Sequence, residues 1–408
     1  MKRFSGKIPI AAAAVLLTLV ITVLGCVSAV SASSSRRASN AQTSLISADS
    51  ADKNTSYAGW LNNRIQQASH NRVKWLSELL KTTGHEVTGS GDDILRQAYD
   101  LGWIPAYSMT DMYMPLSRRY VGYTMTRALD YPESYAGYIA DITKDESYMS
   151  TMAYLGYFIP DINNEIHPGA TITSEEFDAL CGELDRYSRL KGKSVLSFGD
   201  SIMYGSGNGG EGISDMIAVK YGMICTDYAI PGATFGICDE KEHIPDQIRK
   251  AYAVHKTADI ILINGGTNDV NHTALGEMKS GFDMSRRSEK ELSGAFERTL
   301  WLLRTYWRNT PVIYIRAHNM ELGDDKKEKI YGERCMEIAE KWSVRAVDLY
   351  NDSGLNTEDA SMRSRYTYLN PSTGYTCDAI HPNAIGYAKY YLPLITNAVQ
   401  AELTEEAR

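Results

Sequence analysis

Residues 194–201 read Ser194-Val195-Leu196-Ser197-Phe198-Gly199-Asp200-Ser201. A short apolar run stops abruptly at a glycine, a carboxylate and a hydroxyl. Such a run suits a buried strand that delivers polar groups to the edge of a sheet. Similar runs occur at 223–229, 259–264, 312–316 and 345–349. Amphipathic stretches at about 209–221, 244–256, 288–308 and 325–342 lie between them, and a last one spans about 383–402. Five strands alternating with helices predict an α/β fold: a doubly wound, flavodoxin-like, five-stranded parallel sheet with helices on both faces. Ser288 and Glu291 predict a capping box at the start of one helix. In such sheets function sits beyond the carboxyl ends of the strands.

Polar or glycine-rich segments stand at those ends. They are Phe198-Gly199-Asp200-Ser201, Ala229-Ile230-Pro231-Gly232-Ala233-Thr234, Gly265-Gly266-Thr267-Asn268-Asp269 and Asp378-Ala379-Ile380-His381-Pro382. Taken singly, Ser201 reads as a helix cap, Asn268-Asp269 as a turn, His381 as a loop residue and Asp378 as a cap. Together and in this order, they resemble the blocks of the SGNH/GDSL hydrolase family. The resemblance covers about residues 193–402 and extends to Asp348-Leu349-Tyr350, to His381-Pro382-Asn383 and to Gly386-Tyr387. It implies the SGNH hydrolase fold and a serine esterase. Ser201 would attack the ester carbonyl, His381 would be its base, and Asp378 would orient the imidazole. The implied oxyanion donors are the Ser201 and Gly232 backbone N–H groups and the Asn268 side-chain amide. Asp200 and Asp269 read as supports for their loops, and Cys377 as an inert packed thiol. The stretch Gly205-Ser206-Gly207-Asn208-Gly209-Gly210 satisfies GxGxxG, but the strand ends too early for a dinucleotide turn. It reads as a glycine loop beside the nucleophile. No CxxC, HExxH or GxSxG motif occurs, and the mechanism requires no cofactor and no metal.

Ahead of this half, residues 1–32 combine Lys2, Arg3 and Lys7 with an uncharged apolar run from Ile8. Three outcomes fit: a signal peptide cleaved after Val30-Ser31-Ala32, a lipoprotein acylated at Cys26, or a retained membrane anchor. Each places the rest of the chain outside the cytoplasm of a bacterium. Residues 33–56 read as a linker, 57–190 as a small helical accessory domain and 191–408 as the hydrolase domain. One accessory helix is expected over 62–80. The accessory region repeats weakly: Tyr99-Asp100-Leu101-Gly102-Trp103-Ile104-Pro105 returns as Tyr154-Leu155-Gly156-Tyr157-Phe158-Ile159-Pro160. Residues 115–120 likewise parallel 170–177, where Thr173 or Ser174 can cap a helix. Over about 85–188 the pair resembles degenerate S-layer homology repeats, which implies binding to a cell-wall polymer. The family's Thr-Arg-Ala-Glu core stands here as Ser117-Arg118-Arg119-Tyr120 and Thr173-Ser174-Glu175-Glu176. A plain helical domain with another partner fits the same residues.

The net charge of −8, with no basic run, gives nucleic acid no electrostatic hold. Removing or lipidating Cys26 leaves five of the six cysteines, an odd number, with Cys225 and Cys238 a possible pair. The 27 tyrosines suit sugar surfaces, and the catalytic half shows no long apolar lid. Short-chain, acetyl-type esters on cell-wall or other carbohydrate are therefore the expected substrate. Two alternatives stay open: a wall-binding surface protein with an inactive hydrolase domain, and an O-acyltransferase using the same site.

Overall fold

Strand formation follows from the β-branched runs, and strand order from how their two faces are covered. In the computed structural model, β1 (Ser194–Phe198), β2 (Ile224–Asp227), β3 (Ile260–Asn264), β4 (Val312–Arg316) and β5 (Arg345–Asp348) form one sheet in the order β2-β1-β3-β4-β5. All neighbours pair in parallel. This is the expected doubly wound, flavodoxin-like arrangement, with the strand order reversing beside β1. Successive residues alternate between two hydrophobic cores, as a period of two requires. Ile260, Leu262, Ile313 and Ile315 enter one core, while Ile261, Ile263, Val312 and Tyr314 enter the other. Helices Ile244–Val254, Leu292–Tyr306 and Asp325–Lys341 cover the second face. Helices Ile213–Tyr221 and Leu392–Glu405 cover the first.

The structure describes residues 71–134, 138–238, 241–321, 325–368 and 377–405. The expected signal or anchor segment (1–32) and the linker (33–56) lie outside them. Among the described residues, no helix is long and apolar enough to cross a membrane. Of the helix expected over 62–80, residues 62–70 lie outside the described residues; the described part belongs to helix Arg72–Thr82, whose N-cap Asn71 accepts the Lys74 N–H at 2.8 Å.

The repeated region carries a pair of helices in each repeat. Helix Gly91–Asp100 and later helix Arg118–Ala128 are matched by Ser147–Tyr154 and Ser174–Leu190. Isolated antiparallel bridges join Asn71 to Pro115 and Ser117 to Thr171. Thr173 caps the last helix in a capping box with Glu176. Trp75, Leu79, Val121, Met152, Leu184 and Tyr187 join the same hydrophobic core as Val195 and Ile260 of the sheet. Among the described residues, the change near residue 190 is thus a change of layer within one continuous core, and these residues belong to one unit.

Two local expectations are corrected. The helix at 288–308 begins only at Leu292, with Glu291 in extended conformation as its N-cap, so Ser288 and Glu291 make no capping box. The Ala274 and Leu275 carbonyls accept the Leu292 and Ser293 N–H groups at 2.9 Å each. A neighbouring loop therefore satisfies the donors that a side-chain cap would have served. Cys225 and Cys238 are not bridged: Cys225 lies within β2, and Cys238 Sγ sits 3.7 Å from Thr234 Oγ1.

Candidate active site

Beyond the end of β1, the chain turns at Gly199 into a four-residue helix, Ser201–Tyr204. Asp200 is its N-cap and accepts the Ile202 N–H at 2.9 Å. Burial pushes this carboxyl up to about 6, although the Ile202 N–H and the charge of His381 pull it down. Gln247, 1% exposed, grips Gly199 on both sides: it accepts the Gly199 N–H and donates to the Gly199 carbonyl, each at 2.9 Å. The Tyr387 hydroxyl donates to the Ile202 carbonyl at 2.8 Å. The Ser201 backbone is thus fixed from both flanks.

Asp378 folds its own turn. One carboxylate oxygen accepts the Ile380 and His381 N–H groups at 3.0 and 2.9 Å. The other lies 2.6 Å from His381 Nδ1, and His381 Nε2 lies 2.7 Å from Ser201 Oγ. A carboxylate only accepts, so Nδ1 carries the ring proton and Nε2 is left to accept from the serine hydroxyl. Burial raises the Asp378 carboxyl, but the ring, backbone and charge of His381 outweigh it and hold the group below its ordinary range. It is therefore an anion at neutral pH. Ala379, between the two side chains, takes a left-handed φ of 64°.

Gly232 occupies the third position of a turn closed by Ala233 N–H to the Ile230 carbonyl at 3.0 Å, with Pro231 before it. Its φ is +84°, as this turn type demands of a glycine. A side chain there would meet open space, so the backbone faces an unfilled volume. The Asn268 amide donates to the Ala233 carbonyl at 3.0 Å, which orients it and leaves its second hydrogen available. Asp269 is buried and stitches the same loops together. It accepts the Phe235 and Gly236 N–H groups at 2.9 Å each and the Thr273 hydroxyl at 3.1 Å. Burial raises it to about 6 against those bonds. The Ile230 N–H donates to the Gly199 carbonyl at 3.1 Å, tying the Gly232 turn to the Ser201 turn.

The structure thus brings Ser201, His381 and Asp378 into one hydrogen-bonded chain. Gly232 and Asn268 are joined through Ala233 on the adjacent loops. The glycine loop has a packing role: a Cβ on Gly207 would lie 2.3 Å from the Pro382 carbonyl oxygen and 2.6 Å from that of His381. Only a glycine lets this loop back onto the histidine segment.

Supports that no motif announced complete the site. Gln247 is a lone glutamine on an amphipathic helix, which carries no sequence signal. His318, just past β4, is fully buried with Nδ1 2.6 Å from the Tyr391 hydroxyl. That hydroxyl also accepts the His318 backbone N–H at 3.4 Å. Burial, with the charge of His381, lowers His318 to about 3, so it is neutral. Tyr387 and Tyr391 belong to one π-helical turn, Tyr387–Tyr391, which aims both rings inward. Such turns recur at functional sites.

Residues 197–389 match the GDSL-like lipase/acylhydrolase family. The chain carries a domain of that family, and the domain is that of a carboxylic ester hydrolase. No curated protein matches the chain. Among solved structures, a carbohydrate acetylesterase from Sinorhizobium meliloti is 16% identical, with 51% of this chain and 99% of that one covered at a TM-score of 0.36. A phospholipase A1 from Streptomyces albidoflavus is 16% identical, with 50% and 99% covered at 0.37. An acetyl xylan esterase from Geobacillus stearothermophilus is 16% identical, with 53% and 96% covered at 0.32.

Proposed function

We propose that the protein is an extracellular serine esterase that removes short acyl groups, acetyl above all, from cell-wall or other carbohydrate. The observation that carries the chemistry is the chain from Asp378 through His381 to Ser201, with contacts of 2.6 and 2.7 Å. Ser201 Oγ attacks the ester carbonyl as its proton moves to His381 Nε2. Ionised Asp378 stabilises the resulting imidazolium. The tetrahedral oxyanion is met by the Ser201 and Gly232 N–H groups and the Asn268 amide. Within the described residues, neither of those backbone N–H groups donates to another protein atom. The imidazolium then protonates the departing alcohol, and water attacks the acyl-enzyme by the same base.

Carbohydrate is favoured by two tyrosines flanking the site. Tyr204, three residues past the nucleophile, is 39% exposed. Tyr368 is 38% exposed, and its N–H donates to the His381 carbonyl at 2.8 Å. Aromatic faces beside a polar site suit the apolar faces of sugar rings. The export-type N-terminus supports an external substrate.

The test compares the wild type and Ser201→Ala on aryl esters of increasing acyl length and on acetylated polysaccharides. Loss of turnover in the variant, a maximum at acetyl and acetate release from polysaccharide are expected. Unchanged turnover in Ser201→Ala would remove the nucleophile assignment. A preference for long acyl chains would remove the acetyl assignment.

A further inference from the structure

The turn bearing Asp378 and His381 must hold its distance from a nucleophile that arrives from another part of the sheet. The carboxylate's bonds to Ile380 and His381 shape the turn internally, but they do not attach it to the rest of the protein. Among the described residues, two bonds from outside reach its backbone carbonyls. On the far side, the His381 carbonyl accepts the Tyr368 N–H at 2.8 Å. On the near side, the left-handed Ala379 directs its carbonyl to the Thr357 hydroxyl, 2.6 Å away.

Thr357 is fully buried, in the segment after β5, and has no catalytic motif around it. Its backbone N–H donates to the Asn319 carbonyl at 3.0 Å, and its hydroxyl accepts the Glu321 N–H at 3.3 Å. Asn319 follows His318 at the carboxyl end of β4. One small side chain therefore links the sheet edge to the residue between Asp378 and His381. We infer that Thr357 is a positioning residue for the Asp378–His381 pair, setting how His381 Nε2 meets Ser201. This rests on the serine-esterase reading above.

The hydroxyl has one proton, given to Ala379, so a valine of the same shape deletes the link and leaves the buried Ala379 carbonyl without it. Misplacement of a catalytic base by an ångström costs up to about 100-fold in rate. Thr357→Val is expected to lower kcat about 10- to 100-fold on an aryl acetate. KM should stay unchanged, and Ser201 should react correspondingly more slowly with a fluorophosphonate probe. Thr357→Ser keeps the hydroxyl and should restore most of kcat. Near-UV circular dichroism of each variant checks that the protein remains folded. The inference is overturned if folded Thr357→Val keeps wild-type kcat, if it changes KM alone, or if Thr357→Ser is as slow as the valine variant. Failure of the underlying reading would instead show as Ser201→Ala retaining turnover and the wild type escaping the probe.

Discussion

In the proposed mechanism Asn268 serves loop and chemistry together. Its amide is oriented by the Ala233 carbonyl, so removing it strips a donor without disturbing the Ser201–His381 contact. Asn268→Ala should lower kcat by about 10²–10³, with the rate of each variant measured at saturating aryl acetate. His318 makes a different prediction, on stability. Its folded pKa, lowered by burial to about 3, lies below the ordinary 6.5, so only the unfolded chain takes up a proton between these values. Stability from this group is complete above about pH 6.5 and declines as pH falls toward 3. Asp200 and Asp269, raised by burial to about 6 from 3.8, act oppositely: the folded state binds their protons first, so their contribution grows on acidification. Comparing variants isolates the histidine. In urea titrations from pH 7 to 4, His318→Gln should lose stability less steeply than the wild type, by up to about 1.4 kcal/mol per pH unit. Parallel curves would show that His318 is not the buried neutral group the geometry makes it.

Elements place these residues through close backbone approaches as much as through side chains. Gly207 and Gly232 both flank the site, yet alanine should act differently at each. At Gly207 a methyl would collide with the carbonyls of His381 and Pro382, both backbone atoms that cannot swing aside. Gly207→Ala should displace the histidine segment and depress kcat strongly. At Gly232 the methyl meets no atom, and the cost is the strain of φ +84°, about 1–2 kcal/mol. Gly232→Ala should therefore lower the melting temperature while keeping more of the activity than Gly207→Ala. Thermal denaturation and initial rates of the two variants decide this. The reading of GxGxxG as a glycine loop beside the nucleophile acquires its reason here, since the sequence shows the glycines but not the carbonyls they accommodate. The misplaced capping box at Ser288 has the same origin. Ala274 and Leu275, far back in the chain, already meet the donors of the first helical turn.

At the scale of the molecule, the repeated helical region and the sheet hold one core between them. Leu184, Tyr187 and Leu190 share it with Ile213, Ile217 and Tyr221. The Tyr131 hydroxyl donates to the Lys220 carbonyl at 2.6 Å, and Arg186 donates to Gln400 at 2.7 Å and Asn397 at 2.8 Å. A chain begun at residue 191 would expose that apolar face and leave Lys220, 7% exposed, without its Glu183 partner at 3.0 Å. Loss of a partner from a buried ion pair costs about 3–5 kcal/mol, a large share of a domain's stability. The truncated chain should be insoluble or bind a hydrophobic dye with no near-UV signal. A well-folded, active truncation would show that the helical layer is dispensable.

The sequence by itself determined the α/β class and the strand positions, and singled out the residues that the structure joins in the Asp378–His381–Ser201 hydrogen-bonded chain. Each of these is written locally: period-two burial in runs such as 260–264, and polar groups placed immediately after strands. The Ser201, Gly232, Asn268 and His381 segments could be recognised because the chemistry fixes their residue types. Tertiary structure alone decided the rest. Gln247, Thr357 and His318 act through hydrogen bonds to residues 48, 22 and 73 positions away. Any buried hydroxyl, amide or imidazole in those places would look ordinary in sequence. The union of the repeats with the sheet was likewise hidden, because an apolar helix face records that it must be covered and not by what.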